Sequence, residues 1–212
     1  VRTLQIDTRN GDVDVTVDPT ATAVSVDVDL RCGGSTVVEA TDRVNAASIV
    51  LTPGPDSLLR IEPVFPEPIR GNDGARIAVR LPATQHVIID TGNGSVTVDG
   101  GSGSLEAATA TGRITVNDCD GPLDLSSSNG RLERRGIGGP ITGRTPNGRI
   151  IVVLTPDATG PLDLVTSNGS IDVTVGPMFE GTVTMDTSNG SVSCSGGGDR
   201  VTKQSLRKSS GS

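Results

Sequence analysis

A short pattern recurs along the chain and limits the folds that the chain can adopt. It places apolar residues before and after a turn glycine, a threonine or serine ahead of that glycine, and an asparagine directly before it. The copies are centred on Gly11, Gly94, Gly112, Gly130, Gly148, Gly169 and Gly190. Because chance does not keep several positions in phase over so many copies, we interpret each copy as the same pair of short strands.

Two polar positions of this pattern are almost constant. A hydroxyl precedes the glycine by three residues at Thr8, Thr91, Thr109, Ser127, Thr145, Thr166 and Thr187. An asparagine precedes it directly in every copy except the one with Thr111. In stacked parallel coils, equivalent residues lie about 4.8 Å apart and can hydrogen-bond from coil to coil. We therefore predict a structural turn ladder formed by Asn93, Asn129, Asn147, Asn168 and Asn189.

The spacing of the copies fits two kinds of all-β fold. From Gly94 onward the turn glycines lie 18 or 21 residues apart, which leaves room for two short strands and two turns per period. In an antiparallel meander, each Asn-Gly pair would close a two-residue hairpin. A meander gives no reason for the same side chain to recur at a fixed phase, whereas stacking does. The sequence therefore favours a parallel β-solenoid (β-helix) with coils of 18 to 21 residues.

Composition agrees with narrow stacked strands and with an irregular N-terminal part. The chain has no Trp or Tyr and only Phe65 and Phe179 as aromatic residues, so its core must be built from Val, Ile and Leu. No apolar stripe of helical period predicts a helix. The pattern is lost between residues 31 and 82, where we expect short strands and proline-rich loops. We predict an irregular β cap over 1–85, solenoid repeats over 86–196 and a flexible polar tail over 197–212.

Charge and cysteine content argue against several classes of partner. The net charge of −7 disfavours non-specific binding to nucleic acid and to anionic lipid. No run of about 18 apolar residues predicts a membrane span. Cys32, Cys119 and Cys194 have no metal-ligand spacing, so we predict no metal and no cofactor. Cys194 replaces a core valine of other copies and should be buried, while a disulfide between Cys32 and Cys119 is left open.

One outward position of the repeat carries a run of cations. Arg113, Arg131 and Arg149 each follow the turn glycine in successive copies. Guanidinium groups stacked at coil spacing repel one another by about 1 kcal/mol per pair near a surface, so a counter-charge is expected. Carboxylates such as Glu133 and Asp124 could supply it. Alternatively, the three arginines bind an anionic polymer of the cell wall or an acidic glycan, because guanidinium groups suit phosphate and carboxylate.

Residues for enzymatic chemistry are scarce. His86 is the one histidine, and no ordered arrangement of serine, histidine and acid accompanies it. A β-helical polysaccharide lyase or hydrolase needs paired acids or a basic catalyst, commonly beside aromatic platforms that this chain lacks. We therefore predict no catalytic residue and no enzymatic activity, and a polysaccharide-active enzyme is kept as a minor alternative.

Several stretches resemble the bacterial putative adhesin family, whose β-strand repeats carry T-S-N-G-x-I segments. RIAVRLPATQHVIIDTGNGSVTVDG resembles the start of the family's repeats, and TSNGSIDVTV and TSNGSVSCSG resemble its last ones. The resemblance implies a β-helical fold, a location in the cell envelope or on the extracellular surface, and no catalytic motif. Together with the outward arginines, it leads us to expect a non-enzymatic, adhesin-like binding or scaffold protein whose partner is an anionic wall polymer, a glycan or an envelope protein. A self-assembling β-helical structural polymer is the alternative.

Overall fold

The computed structural model describes residues 1–197 and 202–208, which fold mostly into short β-strands. One α-helix, α1 (Val37–Ala46), and one 3₁₀ turn, Pro55–Ser57, interrupt the described strands. The strands are β1 (Thr3–Asn10), β2 (Val13–Val17), β3 (Ser25–Arg31), β4 (Ser48–Pro53), β5 (Leu58–Val64), β6 (Gly74–Leu81), β7 (His86–Asn93), β8 (Val96–Asp99), β9 (Ser104–Thr111), β10 (Ile114–Asn117), β11 (Leu123–Asn129), β12 (Leu132–Ile137), β13 (Ile141–Asn147), β14 (Ile150–Leu154), β15 (Leu162–Asn168), β16 (Ile171–Val175), β17 (Thr182–Asn189), β18 (Val192–Gly196) and β19 (Thr202–Lys208).

The strands form two sheets that face each other across the core. Sheet A has the order β19-β17-β15-β13-β11-β9-β7-β1-β5-β4, and sheet B has the order β18-β16-β14-β12-β10-β8-β2-β6-β3. Strands pair in parallel throughout both sheets, except that β3 and β4 at the ends are antiparallel to their neighbours. Equivalent residues are 18 apart at Ile114 and Leu132, and 21 apart at Ile150 and Ile171. The predicted parallel solenoid is confirmed, and the meander is wrong.

Alternation along each strand sends apolar side chains inward and polar side chains outward. In β15, Leu162, Leu164 and Thr166 are buried, whereas Asp163 and Val165 between them are partly exposed. The inward columns consist mainly of Val, Ile and Leu with almost no exposed surface. These β-branched and aliphatic side chains fill the narrow space between the sheets, as the lack of large aromatic residues requires.

Cys32 and Cys119 are free thiols, so the structure contains no disulfide between them. Cys119 is buried and donates to the Gly100 carbonyl at 3.2 Å. Burial, followed by nearby carboxylates, raises its pKa to about 12. Cys194 continues the core column of Val173, as predicted, but it is only half-buried because β18 is the last strand of sheet B.

The strands of the first copy are part of the stack. β1 and β2 pair in register with β7 and β8, and β5 and β6 form a further parallel layer beyond them. The antiparallel strands β4 and β3 then end the two sheets. The division of the chain at residues 85 and 196 stays a prediction. Within the predicted tail, 202–208 adds β19 to sheet A, and 198–201 and 209–212 lie outside the described residues.

Helix α1 is an element that the sequence did not predict. Thr36 caps its N-terminus by accepting a hydrogen bond from the Glu39 amide at 3.1 Å, and Glu39 accepts one from the Ser35 amide at 2.6 Å. Val37 and Val38 are exposed, so the helix has no apolar stripe toward the core. Its position depends instead on two ion pairs, a partly exposed one between Glu39 and Arg70 and one made by a buried cation.

That cation, Arg43, ties α1 to the residues before β6. Its Nη2 atom lies 2.6 Å from an oxygen of Asp73, whose side chain has no exposed surface. Asp73 also accepts hydrogen bonds from the amides of Gly33 and Arg70, at 2.9 and 2.7 Å. Burial by itself would raise the pKa of Asp73, but these hydrogen bonds and the Arg43 charge outweigh it and hold the pKa below its ordinary value.

Arg134 is a second buried cation, and its side chain has no hydrogen-bond partner among the described residues. It replaces the valine that other coils carry in its core column, and it has no exposed surface. None of its side-chain nitrogen atoms is hydrogen-bonded within the described residues. The guanidinium occupies the space opposite Gly143, where neighbouring coils carry Leu125 and Leu164. Burial lowers the pKa of Arg134 to about 9, so the group remains charged near neutral pH.

Restoring the repeat at this position should stabilise the protein. Replacing buried ionic groups by well-packed apolar ones can add about 1–4 kcal/mol to the free energy of unfolding. We expect that gain for Arg134→Val/Gly143→Leu, measured by urea unfolding. Gly143→Leu alone should destabilise, because its Cβ would lie 2.3 Å from Nη2 of Arg134. A double variant no more stable than the parent would contradict this account of the core.

Asp73→Asn should destabilise the protein in a pH-dependent way. The variant leaves Arg43 buried without a counter-charge, which costs about 3–5 kcal/mol near neutral pH. Because the pKa of Asp73 is depressed in the folded state, its contribution is present above the unfolded pKa and is lost as pH falls through the folded pKa. The difference in unfolding free energy between parent and variant should therefore shrink below about pH 4. Urea unfolding near neutral and near pH 3 tests this, and a constant difference would rule out the ion pair as its source.

Candidate functional site

The predicted arginines form a column at one corner of the stack. Arg113, Arg131 and Arg149 each lie between a turn glycine and a sheet B strand, and all three are exposed. The backbone fixes their order, since the Ile114 amide donates to the Arg131 carbonyl at 2.9 Å. The Leu132 amide donates in the same way to the Arg149 carbonyl at 3.0 Å. At about 4.8 Å per coil, this arginine column spans roughly 10 Å.

Three sets of contacts hold this corner in place. Side-chain amides donate to the amide oxygen of the previous coil at 2.9 to 3.0 Å, in the pairs Asn93–Asn10, Asn147–Asn129, Asn168–Asn147 and Asn189–Asn168. Buried hydroxyls donate to the glycine carbonyl of the previous coil, and Thr145 reaches Gly130 at 3.2 Å. A Cβ on Gly148 would lie 1.7 Å from the Gly130 carbonyl oxygen, so only glycine fits there. The turn ladder joins the coils of Arg131 and Arg149 through Asn129 and Asn147. The coil of Arg113, which has no ladder asparagine, is held by the hydroxyl contacts of Thr109 and Ser127.

The three arginines differ in their counter-charges. Nη1 of Arg131 lies 2.9 Å from Glu133, and Nε of Arg149 lies 2.9 Å from Asp172 in the next coil. The two arginines keep 43% and 50% of their side-chain surface exposed, so solvent screens both pairs and each contributes at most about 1 kcal/mol. Arg113 makes no ion pair within the described part of the chain. The column therefore carries more positive than negative charge.

The fold separates other charged residues from the column. Asp124, which we considered as a counter-charge, lies on sheet A. Arg144 also lies on sheet A, 3.6 Å from Asp163, and Arg134 lies in the core. Arg135 is exposed on sheet B at the opposite end of β12. These residues therefore do not belong to the arginine column, although they are close to it in sequence. Neighbouring residues of a strand point to opposite faces, and consecutive strands of a coil belong to different sheets.

The outer face of sheet A holds His86 but no catalytic relay. Nδ1 of His86 lies 2.5 Å from Oγ of Ser104. No described carboxylate contacts His86, so Ser104 lacks the oriented base that a hydrolase requires.

The described residues contain no cluster of three or more metal-ligating side chains. None of the described helices is both long and apolar enough to cross a membrane.

Thr111 interrupts the turn ladder, and an asparagine at this position should complete it. Thr111 pairs in register with Asn93 and Asn129. Thr111→Asn would add a hydrogen bond to each neighbour and should raise the free energy of unfolding. We expect a rise of only about 1 kcal/mol, because exposed amides also hydrogen-bond to water. Thr111→Ala is the matched control and should not stabilise. If urea unfolding gives the same stability for both variants, the ladder does not stabilise the corner.

Comparison with known proteins finds a likeness in fold. No family model and no curated protein sequence matches the chain. Among solved structures, a putative cell adhesion protein from Clostridium sporogenes has a TM-score of 0.50 and 9% identity, with 92% of each chain covered. A putative adhesin from Bacteroides fragilis has a TM-score of 0.47 and 13% identity over 92% of each chain. A putative adhesin from Parabacteroides distasonis has a TM-score of 0.33 and 12% identity over 91% of this chain and 92% of that chain. The chain therefore shares its fold with the Clostridium sporogenes protein.

Proposed function

We propose that this protein is a non-enzymatic, adhesin-like binding or scaffold protein of the bacterial cell envelope or extracellular surface, and that its arginine column binds an anionic polymer. The observation that carries the proposal is the alignment of exposed Arg113, Arg131 and Arg149 in consecutive coils. A repeating anionic chain, such as a wall phosphate polymer or an acidic glycan, offers charges to all three groups at once.

The counter-charges within the protein leave the column available to such a ligand. The ion pairs Arg131–Glu133 and Arg149–Asp172 are exposed and weak, so a polyanion can replace their carboxylates. Guanidinium groups bind phosphate and carboxylate oxygens through two parallel N–H···O hydrogen bonds. Because the stacked coils fix the backbone spacing of the three arginines, no backbone segment of the protein has to be ordered when a repeating ligand binds.

The architecture supports a surface role. A parallel stack presents long side faces, which suit extended ligands better than a reaction that needs an enclosed site. The similar protein from Clostridium sporogenes carries a cell adhesion name, and the likeness covers 92% of each chain. We extend that role to this chain as part of the proposal.

Binding to defined polymers tests the proposal. Poly(glycerol phosphate) and polygalacturonate serve as anionic probes, and dextran serves as the neutral control. The parent protein should bind at least one anionic probe, and binding should weaken as ionic strength rises from about 0.05 to about 0.3 M, because salt screens exposed charges. Arg113→Ser/Arg131→Ser/Arg149→Ser should weaken it by about tenfold or more, measured by calorimetry.

A matched variant separates the column from overall charge. Arg2→Ser/Arg80→Ser/Arg135→Ser removes three exposed arginines away from the Asn-Gly corner and changes the net charge equally. This control should bind like the parent and fold with the same circular dichroism spectrum. The proposal fails if the parent binds neither anionic probe, or if both triple variants lose binding to the same extent.

A further inference from the structure

A shallow groove runs along the stack on the outer face of sheet A. It has a volume of about 330 Å³ and crosses β7, β9, β11, β13 and β15. At about 4.8 Å per strand, the four steps give it a length of roughly 19 Å. A groove of this shape fits an extended chain better than a compact ligand.

Two columns of side chains form the walls of this groove. One wall contains apolar rings at equivalent positions in consecutive coils, namely Pro122, Pro140 and Pro161. The other wall lies two residues further along each strand and contains Glu106 and Asp124 in adjacent coils, then Thr142, then Asp163. Residues two apart on a strand share a face and lie roughly 7 Å apart. The gap between the walls is therefore about as wide as one unbranched side chain.

The groove is negatively charged, and its carboxylates are compensated only in part, by Arg144 at Asp163 and by the buried Arg134 charge acting on Asp124. Glu106 and Asp124 are exposed and make no salt bridge within the described residues. Asp163 has one weak pair, at 3.6 Å from Arg144. Neither lysine nor arginine is among the described residues that line the groove. The stacked carboxylates repel one another, so a cation placed between them is favoured.

We propose that this groove binds an extended, lysine- or arginine-rich peptide segment of a partner protein. The carboxylate wall favours a cationic occupant, and the proline wall favours one that also offers apolar surface. Lysine and arginine side chains do both, because their methylene stems pack on apolar groups while their charged ends reach polar ones. In this groove the stems lie against Pro122 and Pro140, and the charged ends meet Glu106 and Asp124.

A labelled peptide provides a direct test. A fluorescein-labelled peptide of alternating lysine and alanine should bind the parent protein in a fluorescence anisotropy titration. Glu106→Gln/Asp124→Asn should raise the dissociation constant by about tenfold, because two charge contacts are lost. Asp90→Asn/Asp186→Asn makes the same charge change on sheet A outside the groove lining and should bind like the parent. Equal weakening by this control would overturn the groove as the site, as would a parent that does not bind.

A second variant tests the apolar wall without changing charge. Pro122→Ser introduces the residue type that Ser104 supplies at the same position one coil earlier, so the fold should tolerate it. It should raise the dissociation constant by about threefold, the effect of roughly one lost buried methylene. The slope of affinity against salt should stay unchanged. A steeper or flatter slope would contradict a purely apolar role for this wall.

Two other occupants are outcomes that would overturn the peptide assignment. Tighter binding of spermine than of the peptide would assign the groove to small polyamines. Self-association of the parent in sedimentation, abolished by Glu106→Gln/Asp124→Asn, would assign it to a second copy of this chain. The triple arginine-to-serine variant of the arginine column should not weaken peptide binding, so this test can fail or succeed independently of the proposed function.

Discussion

The close approach of consecutive turns at the Asn-Gly corner determines the rest of the structure. At that corner a buried hydroxyl donates to the glycine carbonyl of the previous coil, at 3.0 to 3.3 Å along the series. This contact satisfies both groups, whereas leaving a buried polar group unpaired would cost about 1–3 kcal/mol. The contact forms only when equivalent residues align. It therefore fixes the register of both sheets and the position of each outward side chain.

Much of this architecture can be predicted because a solenoid repeats its contacts. The hydroxyl, asparagine and glycine positions mark one corner of each coil. Counting residues from that corner predicts which of the following side chains point to the core and which to the surface. The same frame could have placed Arg134 in the core, since it stands at a valine position opposite the small residue Gly143. Helix α1 lay beyond such reasoning, because it occurs once and depends on a contact between Arg43 and the distant Asp73.

The candidate sites are predictable only to the extent that they repeat. The arginine column is visible in the sequence because its members share one phase. The counter-charge Asp172 is less visible, since it is 23 residues from Arg149 and meets it only when coils stack. The groove on sheet A uses two positions of each strand, a proline and the residue two further along, and these positions line up into walls only when the coils stack. A solenoid surface is therefore harder to predict than the fold beneath it.

The corner opposite the asparagine ladder accepts longer connections. Coils with the 21-residue spacing place their additional residues between β14 and β15 and between β16 and β17. These two longer turns stack on each other, with Ala158 and Phe179 buried and the Glu180 amide donating to the Ala158 carbonyl at 3.2 Å. The solenoid thus has one corner where the turns have a constant length and one where their length varies. Duplication of whole coils would therefore lengthen the stack without changing its cross-section. Loops inserted at the variable corner would change the surface there and leave the two sheets as they are.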